Sequence, residues 1–249
     1  MTITPEQENT VREAWKKYRQ QISGRAPLEI AAGGLEGLKQ ATPVKRELDG
    51  GLGYSAAAAY DDKNLYVRYQ VKSPAKLVNL IPDPQVIFKG GNLLDIQLAA
   101  NPQAVSGRKA PEVGDTRLLI PRQNGQTQAV VFRPKLAKGD GKPIRLESPT
   151  GSETFASIEV SPEVTLRDYQ ETPEGFTVTA QIPLSVLGWK PVPGQSVTMD
   201  LGYVFGNREG ALTIARAYWA NNSFTANVLN DIPHESRLEP AEWGKAQVK

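Results

Sequence analysis

Tyr54-Ser-Ala-Ala-Ala-Ala-Tyr60 and Leu65-Tyr-Val-Arg-Tyr-Gln-Val71, joined by Asp61-Asp-Lys-Asn64, form the stretch that decides the fold class. Leu65, Val67, Tyr69 and Val71 fall on one face, with Tyr66, Arg68 and Gln70 on the other, which is the period of two of a half-buried strand. The four polar residues between the two runs are turn formers, so the pair reads as an antiparallel hairpin. Working outward, a second hairpin joins 116–122 to 126–133 through Asn124-Gly125, the dipeptide suited to the positive φ angles of a type I′ turn. Phe176, Val178, Ala180 and Ile182 alternate with Thr177, Thr179 and Gln181 in the same way. Further strands are expected over 93–99, 154–160, 163–170, 196–205 and 211–219.

Roughly nine or ten short strands, punctuated by 22 Gly and 19 Pro and without interleaved helices, predict an all-β antiparallel sandwich of the jelly-roll or immunoglobulin-like kind. The Pro-, Gly- and polar-rich stretches 101–115 and 134–153 read as long loops at its ends, and no internal repeat is present. The sandwich is expected to span 27–249. Residues 1–26 form a separate N-terminal piece, because 4–24 carry the signals of one amphipathic helix. Thr4 is a candidate N-cap, Pro5 takes the first helical position and Gln7 completes a capping box. Val11, Trp15, Tyr18 and Ile22 then make one apolar stripe that stops at Gly24. The stripe either packs on the following domain or docks on an upstream domain or partner.

Composition removes several classes of chemistry. The chain of 249 residues has no Cys and one His, so it cannot build a Cys or Cys/His zinc site, an iron–sulfur cluster or a cysteine nucleophile. With 29 Lys+Arg against 27 Asp+Glu, the formal charge of +2 gives no general footprint for nucleic acid. The longest apolar run, 56–60, and runs such as 118–120 fall far short of the roughly 20 residues that span a bilayer. Met1-Thr-Ile-Thr-Pro-Glu6 lacks the basic and apolar regions of a signal peptide. The expectation is a domain cut from a larger exported protein, extracellular or periplasmic, a setting that the absence of cysteine also fits.

Five constellations are candidates for function. Asp61-Asp62 are either turn formers or oxygen ligands for a hard cation. Gly50-Gly51-Leu52-Gly53 is not a phosphate loop, since no strand precedes it and no Lys-Ser/Thr closes it. His234, in Asp231-Ile-Pro-His-Glu-Ser-Arg237, is expected in a loop as a surface or hydrogen-bonding residue. Met199 shares a strand face with Val197, Leu201 and Tyr203, so it reads as core, with haem ligation as the alternative. The fifth, Arg216-Ala-Tyr-Trp-Ala-Asn-Asn-Ser-Phe224, leaves a strand and enters a loop with two amides, a hydroxyl and an aromatic. Aromatic faces pack on pyranose C–H surfaces, and planar amide, guanidinium and carboxylate groups pair with vicinal hydroxyls, so this mixture suits a sugar.

The runs Ala59-Tyr-Asp-Asp-Lys-Asn-Leu-Tyr-Val67, Gly91-Asn-Leu-Leu-Asp-Ile-Gln-Leu98, Gly175-Phe-Thr-Val-Thr-Ala-Gln-Ile-Pro183 and Arg237-Leu-Glu-Pro-Ala-Glu-Trp-Gly244 occur in this order. Over about residues 28–249 the chain thereby resembles the family 9 carbohydrate-binding modules, within the wider group of DOMON-like sandwiches. The resemblance implies a non-catalytic bacterial module that holds a poly- or oligosaccharide, with structural calcium in some members. It implies Phe88 and Phe224 as apolar walls, with Trp219 as a substitute, Asp95 and Arg117 as hydroxyl binders, and Asn221 on the polar side. Two positions depart from the family. Leu119 stands where an asparagine follows the arginine, and phenylalanines replace the two clamping tryptophans, which present more π surface. Two further functions stay open: a structural or protein-interaction sandwich, and a haem-binding DOMON-like domain. Other domains of a parent polypeptide are the expected partners besides glycan.

Overall fold

Alternating sequence becomes strand wherever one face finds a core to cover, and the computed structural model, which describes residues 27–105, 107–137, 142–222 and 232–249, is built almost wholly this way. In chain order the strands are β1 (Leu28–Ala32), β2 (Val44–Glu47), β3 (Gly53–Tyr60), β4 (Asn64–Lys72), β5 (Leu93–Ala99), β6 (Asp115–Gln123), β7 (Gln126–Thr127), β8 (Val130–Arg133), β9 (Ile144–Ser148), β10 (Gly151–Phe155), β11 (Ser157–Val160), β12 (Thr165–Thr172), β13 (Gly175–Pro183), β14 (Ser196–Gly206), β15 (Thr213–Tyr218) and β16 (Gly244–Val248). Three short helices interrupt them: α1 (Gly34–Gly37), α2 (Leu184–Leu187) and α3 (Ile232–Ser236). The helix expected over 4–24 and the aromatic wall expected at Phe224 lie outside the described residues.

The strands form one curled sheet in the order β11-β8-β6-β5-β14-β16-β1-β3-β4-β13-β12, with β15 on β14, β2 on β3 and β7 on β6. Its two halves fold over one another as an all-β sandwich. Leu94, Ile96, Leu118, Ile120, Leu201 and Tyr203 from one half meet Ala56, Ala58, Val67, Tyr69, Val178 and Ala180 from the other in a single buried core. Phe176 and Tyr203 touch across the layers with ring centroids 6.1 Å apart. Met199 is fully buried in this core.

Both hairpins form as expected. Asn124 and Gly125 take φ of 49° and 79°, and Arg122 pairs with Thr127 across them. In the other, Tyr60 pairs with Leu65, and Asp61 accepts the Lys63 and Asn64 N–H groups at 2.9 and 2.7 Å and the Tyr66 hydroxyl at 2.9 Å. Partial burial works against the Asp61 carboxylate, but these donors outweigh it and hold the group below its ordinary range. Its oxygens are therefore committed to the turn.

Three expectations need correction. The sheet is mixed, because β1 runs parallel to both β16 and β3 between otherwise antiparallel strands. The stretch 134–153 is not loop throughout: β9 and most of β10 form a two-stranded hairpin within it. His234 sits in the single turn of α3 rather than in a loop. The last two arise from one cause, a second layer on the outer face of β5, β6 and β14. There Phe88, Phe132, Phe155, Leu146, Leu238 and Trp243 make a second core beneath the β9–β10 hairpin, the 3-10 turn Pro84–Lys89 and the C-terminal segment. Every residue of β5 is buried, since both its faces are covered.

Candidate binding site

The outer face of β5, β6, β14 and β15 carries a run of polar side chains, and cross-strand register explains how they meet. Gly202 pairs with Asp95 on one side and with Tyr218 on the other. Having no side chain, Gly202 lets the Tyr218 ring lie across it, where an added Cβ would stand 2.4 Å from Tyr218 Cδ1. The hydroxyl thus reaches Asp95 and donates to Oδ2 at 2.5 Å. Arg117, on the neighbouring β6, donates from Nε to both Asp95 oxygens at 3.1 Å and from Nη2 to Oδ2 at 2.6 Å. Its Nη1 donates to the Glu235 and Ser236 carbonyls at 2.6 and 2.9 Å.

Asp95 and Arg117, which the family resemblance brings forward, therefore do converge, and they clamp α3 onto the sheet. Both are buried, Asp95 at 0% and Arg117 at 2% exposure. Burial works against the guanidinium charge, but the Asp95 carboxylate and Tyr218 more than offset it and hold Arg117 charged well beyond its ordinary range. Burial, with Asp95 beside it, likewise keeps Tyr218 a neutral donor.

Alongside this clamp runs a second buried ionic group. Glu235 on α3 forms ion pairs with Arg216 Nη2 at 2.8 Å and Lys89 Nζ at 2.7 Å, and Arg216 also donates to the Phe88 carbonyl at 2.9 Å. Asp200 takes the backbone N–H groups of Ala220 and Asn221 at 2.9 and 2.8 Å, capping the turn at the end of β15. Gly202→Ala should push Tyr218 off Asp95 and cost about 1–3 kcal/mol of stability by overpacking. Thermal unfolding measures it, and a wild-type melting temperature in that variant would contradict the geometry.

Of the expected aromatic walls, Phe88 and Trp219 are among the described residues, and both are buried. The Phe88 ring is fully buried against Phe132, with centroids 6.1 Å apart, and so offers no face to a sugar. Trp219 points to the opposite side of the sheet and lies over Gly244 in the main core, 5% exposed. Asn221 is buried too, with its side-chain amide directed at Glu239 Oε2 at 3.3 Å. Glu239 Oε1 in turn forms an ion pair with Arg237, 3.0 Å from its Nε, and these two side chains keep 24% and 36% exposure. Glu153 on β10 lies within electrostatic reach of Arg237, His234 and Glu239, and its partial burial raises its carboxyl above the ordinary range. A partly open rim of carboxylate, guanidinium and imidazole groups, backed by the buried Asn221 amide, thus borders the buried clamp.

Glu235, Lys89 and Glu239 were not singled out from sequence, and Arg216 and Tyr218 entered only as members of the run 216–224. Arg216 and Tyr218 share strand parity with Asp200 and Gly202 across the ladder, a signal readable only once β15 is registered against β14. Among the described residues no group of three or more Asp, Glu or His is placed to hold a metal ion, and Asp61 is committed to its turn.

Two solved structures share this fold. A family 9 carbohydrate-binding module (CBM9) from Caldicellulosiruptor kristjanssonii in complex with cellotriose superposes with a TM-score of 0.55 at 12% identity, covering 90% of this chain and 94% of that one. A family 9 module from the same organism in complex with glucose gives 0.52 at 13% identity, over 90% and 96%. No family model matches the sequence, and no curated protein matches it.

Proposed function

We propose that this chain is a non-catalytic carbohydrate-binding module that captures a sugar or glycan end, as part of a larger protein working outside the cytoplasm. The observation that supports this reading is the extent of the fold likeness: nine-tenths of the chain follows modules solved with cellotriose and with glucose. On this reading, contact with sugar hydroxyls falls to the open rim, with Glu239 and Arg237 as the paired carboxylate and guanidinium and Asn221 holding Glu239 in place. Asp95, Arg117 and Tyr218 form the rigid floor that positions the C-terminal segment carrying that rim. A single preformed site of this kind binds weakly, and tethering to a catalytic domain raises its effect through local concentration.

Titration calorimetry with glucose, cellotriose and a wider glycan set tests the proposal. Glu239→Ala and Arg237→Ala should each weaken binding about tenfold, the loss expected for a charge-assisted hydrogen bond of about 1.4 kcal/mol. Melting temperatures should stay near wild type. Binding untouched by both changes would move the site elsewhere. A chain that binds no glycan at all would favour a structural or interaction domain.

A further inference from the structure

On the opposite half of the sandwich, α1 and the chain around it cover the outer face of β3 and part of β4, where Leu38, Ala57, Ala59 and Tyr66 pack together. Among the described residues, the outer face of β4, β13 and β12 carries no such cover. Register sets its side chains in rows across the three strands. Arg68 pairs with Thr179 and Thr179 with Arg167; Gln70 pairs with Thr177 and Thr177 with Gln170; Tyr66 pairs with Gln181 and Gln181 with Thr165. A bulge between Arg167 and Gln170, with Asp168 at φ 52°, keeps Gln170 in phase with Arg167 and moves Asp168 off the row. The face therefore reads Gln-Thr-Gln beside Arg-Thr-Arg.

These side chains are not used internally. Among the described residues, Arg68, Arg167, Gln70 and Gln170 have no hydrogen-bond or ion-pair partner, and Gln181 Oε1 is enclosed without one. The nearby Asp61 carboxylate is occupied by Lys63, Asn64 and Tyr66, and Lys72 at the far end faces Glu174 at 3.9 Å. Two uncommitted guanidinium groups are left, two strands apart, which sets their Cα positions about 9.5 Å from one another.

We propose that this face is a second binding surface, for a polysaccharide that carries carboxylates, such as a uronate chain. Each guanidinium offers a planar fork matched to a carboxylate, and the flanking Gln70, Gln170 and partly exposed Thr177 match vicinal hydroxyls, while Thr179 between the two arginines is buried. The chemistry favours glycan over single-stranded nucleic acid, whose binders stack bases on exposed aromatics. The one aromatic of these rows, Tyr66, is 6% exposed and bonded to Asp61. With a rim site on the other half, the two surfaces would hold one polymer bivalently. This surface does not depend on the rim reading.

Calorimetry and affinity electrophoresis of the full chain against polygalacturonate provide the test, with cellotriose, polyglutamate and polyuridylate as parallel ligands. Polygalacturonate is expected to bind, more weakly as salt rises. The double variant Arg68→Gln/Arg167→Gln should lose affinity at least tenfold, and Gln70→Ala/Gln170→Ala about threefold, with cellotriose binding unchanged in both. Gln70, Arg167 and Gln170 are exposed and Arg68 is partly so, and melting curves check that the variants fold. Absence of polygalacturonate binding, or binding that the arginine variant leaves intact, overturns the proposal. So does equal binding of polyglutamate or polyuridylate with the same loss, which would mark a patch that reads charge alone.

Discussion

Replacing Arg117 by methionine is expected to lower stability by about 3–5 kcal/mol, the usual cost of removing one member of a buried ion pair. The loss is large because Asp95 would remain at the centre of a covered sheet face with its charge uncompensated, and because the Glu235 and Ser236 carbonyls would lose their donor. In a chain of this length that corresponds to a melting temperature lower by about 6–20 °C. Replacing Asp95 and Arg117 together by leucine and methionine should recover much of it, since a matched apolar pair leaves no orphaned charge. Urea unfolding of the two single variants and the double variant measures this. Additive losses would show that the two residues act separately and would break the clamp as described. A small stability loss with abolished glycan binding would instead put Arg117 on the ligand.

Asp200 should make the protein less stable as pH rises towards neutrality. Burial pushes its carboxyl up to about 7, against the opposing pull of the Ala220, Asn221 and Leu201 N–H groups, and the Asp95 carboxylate nearby acts in the same direction as burial. An unfolded aspartate titrates near 3.9, so the native state holds this proton more tightly than the unfolded one. The stabilisation is complete below about pH 4 and is lost as pH climbs to about 7, with a span on the order of 4 kcal/mol. Asp200→Asn removes that titration. The stability of the wild type relative to this variant should therefore fall across the same window. Parallel pH profiles for the two proteins would rule out a raised carboxyl at this position.

How far the fold can be read from residues differs from element to element. The two hairpins were legible because each depends on neighbours: Asn124-Gly125 can take positive φ, and Asp61 accepts the N–H groups of its own turn. The faces of β4 and β13 were legible because one is polar and the other apolar, so period alone assigns them. β1, β2 and β16 are short and gave no comparable signal. The parallel pairing of β1 with β16 joins opposite ends of the chain, and no local pattern specifies a partner at that separation.

The candidate site shows the same division. Asp95 and Arg117 came from a family resemblance, and register confirms that their strands bring them together. What they touch could not be inferred, because Glu235 and Ser236 approach from a segment more than a hundred residues later in the chain. Phe88 and Trp219 read equally well as sugar platforms or as core, since an aromatic carries the same apolar area in either role. The sequence by itself determined the strand-rich class and the turns, which follow from local propensity and alternation, while Asp95 and Arg117 came forward only through the resemblance of its motifs to a family. Only the tertiary structure decided that a second layer closes over the outer face of β5, which buries Asp95 and Arg117 in a clamp, while no described residue covers the polar rows of β4, β13 and β12. Covering a face depends on where distant segments fall, and that is a property of the folded chain as a whole.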